Sequence, residues 1–193
     1  MELHGTTGAH TPPKQASNFW ETVRFVAISI IIVFAFRTFV AQPFIVSGES
    51  MVPTFLDGEY LIVDEVSYRF KEPKRDDVII MRYPLDTKTF FIKRIIGLPG
   101  ETLEFNGSAI TITPQNGDNP INLAEPYVVH AGNDFFSVTL GSDEYFVLGD
   151  NRSASSDSRR WGALPAKNIV GRPFVRLFPF STFSWFPGTA IAH

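Results

Sequence analysis

The sequence predicts a mainly β, mostly antiparallel domain carried behind one N-terminal apolar helix. From Phe44 onward, short runs rich in Val, Ile, Phe and Tyr recur between clusters of Gly, Pro, Asn and Asp, the pattern of strands joined by turns. Ahead of them stands the chain's one long apolar run, uncharged from Phe25 to Phe36. The length, 193 residues, suits one ordinary domain plus a short appendage, and a 44% hydrophobic content with 19 phenylalanines supplies its core. A formal charge of −3, with no phosphate-neutralising basic patch, argues against nucleic acid as a partner. The absence of cysteine excludes disulfides and Cys-based metal sites.

Residues 1–18 are rich in Gly, Thr, Pro and His, show no apolar periodicity and are expected to be a disordered tail. His4 and His10 are too few and too far apart to suggest a metal site. Residues 19–41 are long enough to cross a hydrocarbon core of roughly 30 Å at about 1.5 Å per residue. Arg24 and Arg37 flank the uncharged stretch, and Phe19 and Trp20 suit the interface. A run apolar on every side fits lipid better than a protein core. Cleavage after Ala41 as a secretory signal would put Phe39 where a small residue is wanted, so an uncleaved anchor is expected.

Gln42-Pro43 ends that helix and opens the domain, residues 42–193. Strands are expected at Phe44–Val46, Tyr60–Val63, Asp77–Tyr83, Thr89–Gly97, Thr102–Phe105, Ala109–Thr113, Glu144–Leu148 and Ile169–Leu177. Pro114 to Asn122 reads as a polar loop, and no internal repeat is visible.

The chemistry centres on Ser50, in Gly48-Glu49-Ser50-Met51-Val52-Pro53, a few residues past the apolar run. A serine hydroxyl is a poor nucleophile until a base takes its proton. Neither His130 nor His193 has the setting of a Ser-His-Asp triad, which leaves lysine. A lysine works as a base only where burial lowers its pKa from about 10.4. Lys93 lies within Phe90-Phe91-Ile92-Lys93-Arg94-Ile95-Ile96, and strand alternation puts it on the face opposite Arg94. On pattern alone this fits an ordinary surface Lys-Arg pair on an edge strand as well as a buried base. The segment Gly149–Gly162 likewise reads as a solvated polar loop, yet its hydroxyls and two Asp/Arg pairings suffice to orient a lysine and pin a loop.

Taken together, Ser50-Met51-Val52-Pro53-Thr54, Lys93-Arg94-Ile95-Ile96-Gly97-Leu98-Pro99-Gly100 and Gly149-Asp150-Asn151-Arg152…Ser155…Asp157-Ser158-Arg159…Gly162 resemble the ordered signature boxes of bacterial type I signal peptidases. The preceding span and the closing Val170-Gly171-Arg172 fit too, and the resemblance runs from about Phe19 to Pro179. It implies a barrel-like antiparallel catalytic domain of LexA-like fold that needs no cofactor and no metal. Ser50 would be the acylating nucleophile and Lys93 its general base. Ser155 would hydrogen-bond the lysine, and Asp157 and Arg159 would form a supporting salt bridge. The Ser50 N–H would be one oxyanion donor, and Met51 would pack beneath the site. Phe44, Ile45, Val46 and Ile92 would wall pockets for small side chains. The substrate would be the signal peptide of a secreted preprotein cut after Ala-X-Ala, near the protein translocation machinery. The chain would be a single-pass type II protein of the lipid bilayer, with residues 1–18 cytoplasmic and the domain extracytoplasmic.

One departure concerns the oxyanion hole. Some members carry a serine two residues before the nucleophile, where this chain has Gly48; Ser47, a backbone group or water is left to complete the hole. The self-cleaving LexA- and UmuD-type regulators share the Ser-Lys chemistry, but they are soluble, and the apolar run argues against them. The aromatic stretch Leu177–Pro187 suits either an interfacial contact or packing at the domain edge.

Overall fold

The computed structural model describes residues 16–39 and 41–189, with the side chains of 19–33 and 42–189. His4, His10, His193 and nearly all of the expected tail lie outside these residues. The chain divides between Thr38 and Phe39 into two compact units.

The first unit holds all but the last residue of α1 (Ala16–Phe39), 24 residues and therefore about 36 Å long. Its apolar side chains from Phe19 to Val33 are largely exposed on all faces. Among the described residues no helix is long and apolar enough to cross a membrane. The side chains of 34–41, which complete the expected span, fall outside the described ones.

The second unit is mainly β, and every strand pairing in it is antiparallel. Its strands are β1 (Ala41–Ile45), β2 (Tyr60–Asp64), β3 (Val78–Tyr83), β4 (Asp86–Gly97), β5 (Thr102–Gly107) and β6 (Ala109–Thr113). Then come β7 (Ile121–Asn122), β8 (Asp134–Thr139), β9 (Glu144–Leu148), the one-turn helix α2 (Ser158–Trp161), β10 (Leu164–Pro165), β11 (Ile169–Phe178) and β12 (Ser184–Trp185). The larger sheet runs β1-β2-β11-β3-β4-β9-β10, with β12 on β11, and the smaller runs β7-β6-β5-β8. Every strand expected from the sequence is present. Gln42-Pro43, expected to end the helix, lies inside β1 instead; β1 is an edge strand, where a residue without an N–H is tolerated.

Three packed clusters make the core. Met51, Phe55, Leu61, Val63, Val78 and Ile80 lie under the β1–β2 connection. Ile79, Met81, Ile95, Tyr145 and Val147 fill another face of the larger sheet. Ile96, Leu103, Phe105, Ile112, Phe146 and Leu148 seat the smaller sheet against β4 and β9, with Phe105 stacked on Phe136 at 4.3 Å. The consequence for β4 decides the site. Its first half is exposed, but from Ile92 to Gly97 every residue is buried, because both faces of the strand are covered there.

Candidate active site

The turn from β1 to β2 presents Ser50. Gly48 adopts φ +89°, a conformation that favours glycine, and its N–H donates to Asp57 Oδ1 at 2.7 Å. Val46 N–H to Glu59 O and Gly58 N–H to Val46 O, each 2.9 Å, close the base of the turn. Met51 and Phe55, both fully buried, fasten it to the core. The loop after β9 grips the other side: Asn151 N–H donates to Ser50 O at 3.0 Å, and its side-chain amide to Glu49 O at 3.2 Å. Among the described residues the Ser50 N–H has no acceptor, so it is free to donate elsewhere.

Lys93 reaches this turn from β4. Its Nζ lies 2.8 Å from Ser50 Oγ and 2.9 Å from Ile92 O, and the residue is only 3% exposed. Burial lowers its pKa from the ordinary lysine value to about 8, against the opposing pull of the Asp157 and Asp150 carboxylates. An amine of that basicity is substantially neutral in mildly alkaline solution, and its lone pair can take the Ser50 proton directly. Of the two alternatives open from the pattern, the surface Lys-Arg pair is therefore not what the chain forms. Lys93 and Arg94 do project to opposite faces, but both faces are buried.

Phe44, Ile45, Val46 and Ile92 all line a cleft of about 100 Å³ that also includes Ser50 and Lys93. Ser47, Phe90 and Phe91 join them, and alternation places Phe91 on the face of Lys93, the ring centre 5.2 Å from Nζ. A wider polar cleft of about 1090 Å³, bordered by Tyr68, Glu72 and Gln115, contains neither Ser50 nor Lys93. Among the described residues no cluster of His, Asp or Glu is disposed to hold a metal ion.

The loop from Gly149 to Gly162 is solvated only in part: Ser153, Ala154, Ser156, Arg160 and Gly162 are exposed. Asp150, Arg152, Ser155, Asp157 and Ser158 are all buried. Asp157 accepts from Arg159 Nε at 2.8 Å and Nη2 at 2.9 Å, and from Gly149 N–H at 3.1 Å. The Ser155 hydroxyl is buried and has no hydrogen-bond partner among the described residues, so the lysine contact implied by resemblance is not formed. It packs instead at Gly149: a Cβ on that glycine would lie 2.3 Å from Ser155 Oγ and 2.4 Å from Ser50 O.

Sequence reasoning passed over several members of the site. Arg94, 1% exposed, donates to both Asp150 oxygens at 2.9 and 2.7 Å, and Thr54 donates to the same carboxylate. Arg152 pairs with Glu125 and donates to Gly149 O at 3.1 Å. Tyr127 lies flat over Arg94, its ring centre 3.9 Å from the guanidinium carbon. Glu125 and Tyr127 stand in a segment that carries no motif. Arg94 could have been flagged only by noticing that a strand apolar on both sides must bury both its cations.

Residues 19–178 match the family described as signal peptidase, peptidase S26. Signal peptidase I of Leptolyngbya laminosa is 36% identical over 180 residues, covering 89% of this chain and 85% of that protein. Signal peptidase I P of Bacillus subtilis subsp. natto is 33% identical over 172 residues, covering 86% and 92%. A crystal structure of a signal peptidase I from Enterococcus faecalis V583 aligns with 53% of this chain and 97% of its own at 33% identity, with a TM-score of 0.44.

Proposed function

This chain belongs to the signal peptidase family, peptidase S26, and on that premise we propose that it is a membrane-anchored Ser-Lys endopeptidase removing signal peptides from secreted preproteins after Ala-X-Ala sites. The observation that carries the dyad is the 2.8 Å contact of Lys93 Nζ with Ser50 Oγ inside a buried site. Neutral Lys93 takes the Ser50 proton as Oγ attacks the carbonyl at the end of the signal peptide. The tetrahedral oxyanion accepts from the Ser50 N–H, which has no competing acceptor among the described residues. The lysinium returns its proton to the departing amine, leaving an acyl-enzyme. Lys93 then deprotonates the water that releases it.

The small cleft suits small side chains, in keeping with Ala-X-Ala selectivity. The anchor rests on the uncharged run Phe25–Phe36, and the extracytoplasmic placement of residues 42–193 on the family's usual orientation. Phe180 and Trp185, 82% and 61% exposed, suit contact with the bilayer interface. Signal peptides emerging from the translocation machinery would meet the site there, and confinement of enzyme and substrate to one surface raises their effective concentration.

The test is cleavage of an Ala-X-Ala preprotein by detergent-solubilised enzyme. Ser50→Ala and Lys93→Ala should each lower kcat/KM at least about 10³-fold; near-normal turnover by either would overturn the dyad. In the wild type, kcat/KM should rise with pH through a midpoint near 8, since only the neutral amine accepts the proton. A midpoint near 6.5 would point to a histidine instead.

A further inference from the structure

The buried charges of the domain are partnered in a selective way. Arg94 is bound to Asp150, Arg159 to Asp157, Arg152 to Glu125, Glu101 to Arg75 and Glu59 to Arg176. Among the described residues, Lys93 alone of the buried cations has no carboxylate in ion-pair contact. Yet Asp150 accepts from Thr54 of the nucleophile turn, and Asp157 from the N–H of Gly149, which packs on the Ser50 carbonyl, so both carboxylates border the site and their charges pull on the Lys93 amine. Each is gripped by two guanidinium N–H groups of a single arginine, a planar fork that occupies both carboxylate oxygens.

We propose that Arg94 and Arg159 are positioning counter-ions that hold Asp150 and Asp157, so that neither carboxylate locks Lys93 in its charged form beside Ser50. This rests on the Ser-Lys reading, adds Arg94 to it and gives Arg159, expected only as a structural support, an electrostatic role. A bare carboxylate at either position would stabilise the lysinium and disable the base; an arginine alone would repel it.

The other groups on elements around Lys93 fit this division. From the loop after β9, Arg152 is tied to Glu125 and to Gly149 O. From the segment before β9, Asp134 adds a second carboxylate to Arg159 at 3.0 Å, and Tyr127 covers Arg94 while donating to Asp76 Oδ1 at 2.9 Å. Burial opposes the charge on Arg159, but its bonds to Asp157 and Asp134 hold it more firmly protonated than usual. The carbonyls of Asp76 and Gly188 accept from Arg94 Nη1 at 2.8 and 2.7 Å and fix the fork over Asp150. Glu49 and Asp57, on the nucleophile turn, are exposed and screened by water.

The prediction is a reversal of sign that loosened packing cannot mimic. In the full chain labelled with [¹³Cε]lysine and held in detergent, the Lys93 resonance, assigned by its loss in Lys93→Arg, reports the protonation midpoint. Arg159→Gln should raise that midpoint by at least about one unit, and Asp157→Asn should lower it. The double variant Asp157→Asn/Arg159→Gln should return it to within about half a unit of wild type, and the charge-conserving Arg159→Lys should also stay close. Loosening that admitted water would raise the midpoint in every variant. That result, or no movement in variants whose thermal unfolding is cooperative, overturns the proposal. The alkaline limb of kcat/KM should move with the midpoint. The resonance titrates whether or not the enzyme cleaves a preprotein, so failure of the counter-ion role and failure of the peptidase reading give different results.

Discussion

Lys93 is a group whose usefulness opposes stability. Its folded pKa near 8 lies below the value of about 10.4 for an exposed lysine, so between those values the unfolded chain binds more protons. Stability contributed by this group is therefore present above about pH 10.4 and is lost as pH falls through 8. Below that both states carry the charge, and burying it costs roughly 2–4 kcal/mol. Lys93→Met should accordingly abolish cleavage yet raise the Tm at pH 7, with the gain shrinking by pH 10. Parallel thermal melts at the two pH values check this; an equal gain at both would mean that the amine is not desolvated. Such a trade of stability for reactivity is expected wherever a site keeps a cation without its counter-ion.

Among the elements, the junction of β9 with the following loop is the tightest constraint on the site. Gly149 donates to Asp157, accepts from Arg152, and turns its bare Cα toward Ser155 and the Ser50 carbonyl. Gly149→Ala would need about an ångström of separation between the nucleophile turn and the loop. It is expected to lower kcat/KM on the order of 10²-fold through kcat. A comparison is Gly171→Ala on β11, whose Cβ would lie 2.3 Å from the Asp64 carbonyl. That change should lower the Tm by disturbing the β2–β11 pairing, with a smaller effect on kcat for protein that remains folded. If Gly149→Ala left kcat intact, the loop would not be positioning Ser50. The same junction explains why a polar, turn-rich loop is buried in part: its carboxylates, hydroxyls and arginines mostly satisfy one another, which removes the need for water.

For the whole molecule, the division at Thr38 and Phe39 separates an apolar helix from a β domain with its own core. If α1 is the anchor, the full chain should stay with the membrane fraction through high-salt and alkaline washes. A chain beginning at Phe39 should be released more readily. Fractionation followed by immunoblotting decides this, and release of the full chain would overturn the anchor reading. Within the domain, the Ser50–Lys93 and Arg94–Asp150 contacts join residues 43 and 56 positions apart. Activity should therefore be lost together with the cooperative unfolding of the larger sheet.

The sequence was enough to indicate a β domain, because strand alternation and turn formers are local properties, and it drew attention to Ser50 with lysine as its expected base, while leaving Lys93 open between a buried base and a surface cation. It also placed Lys93 and Arg94 on opposite faces, since period two is a property of any strand. It could not say that both faces are covered, nor that the Gly149–Gly162 loop turns inward. It gave no hint of β8 or of the roles of Glu125 and Tyr127. Those outcomes depend on which distant segments pack against each face. Only that packing decided the matter, because desolvation and Coulomb attraction act through space: one cation of an adjacent pair, Arg94, is ion-paired with Asp150, and the other, Lys93, is buried without an ion pair beside Ser50 Oγ.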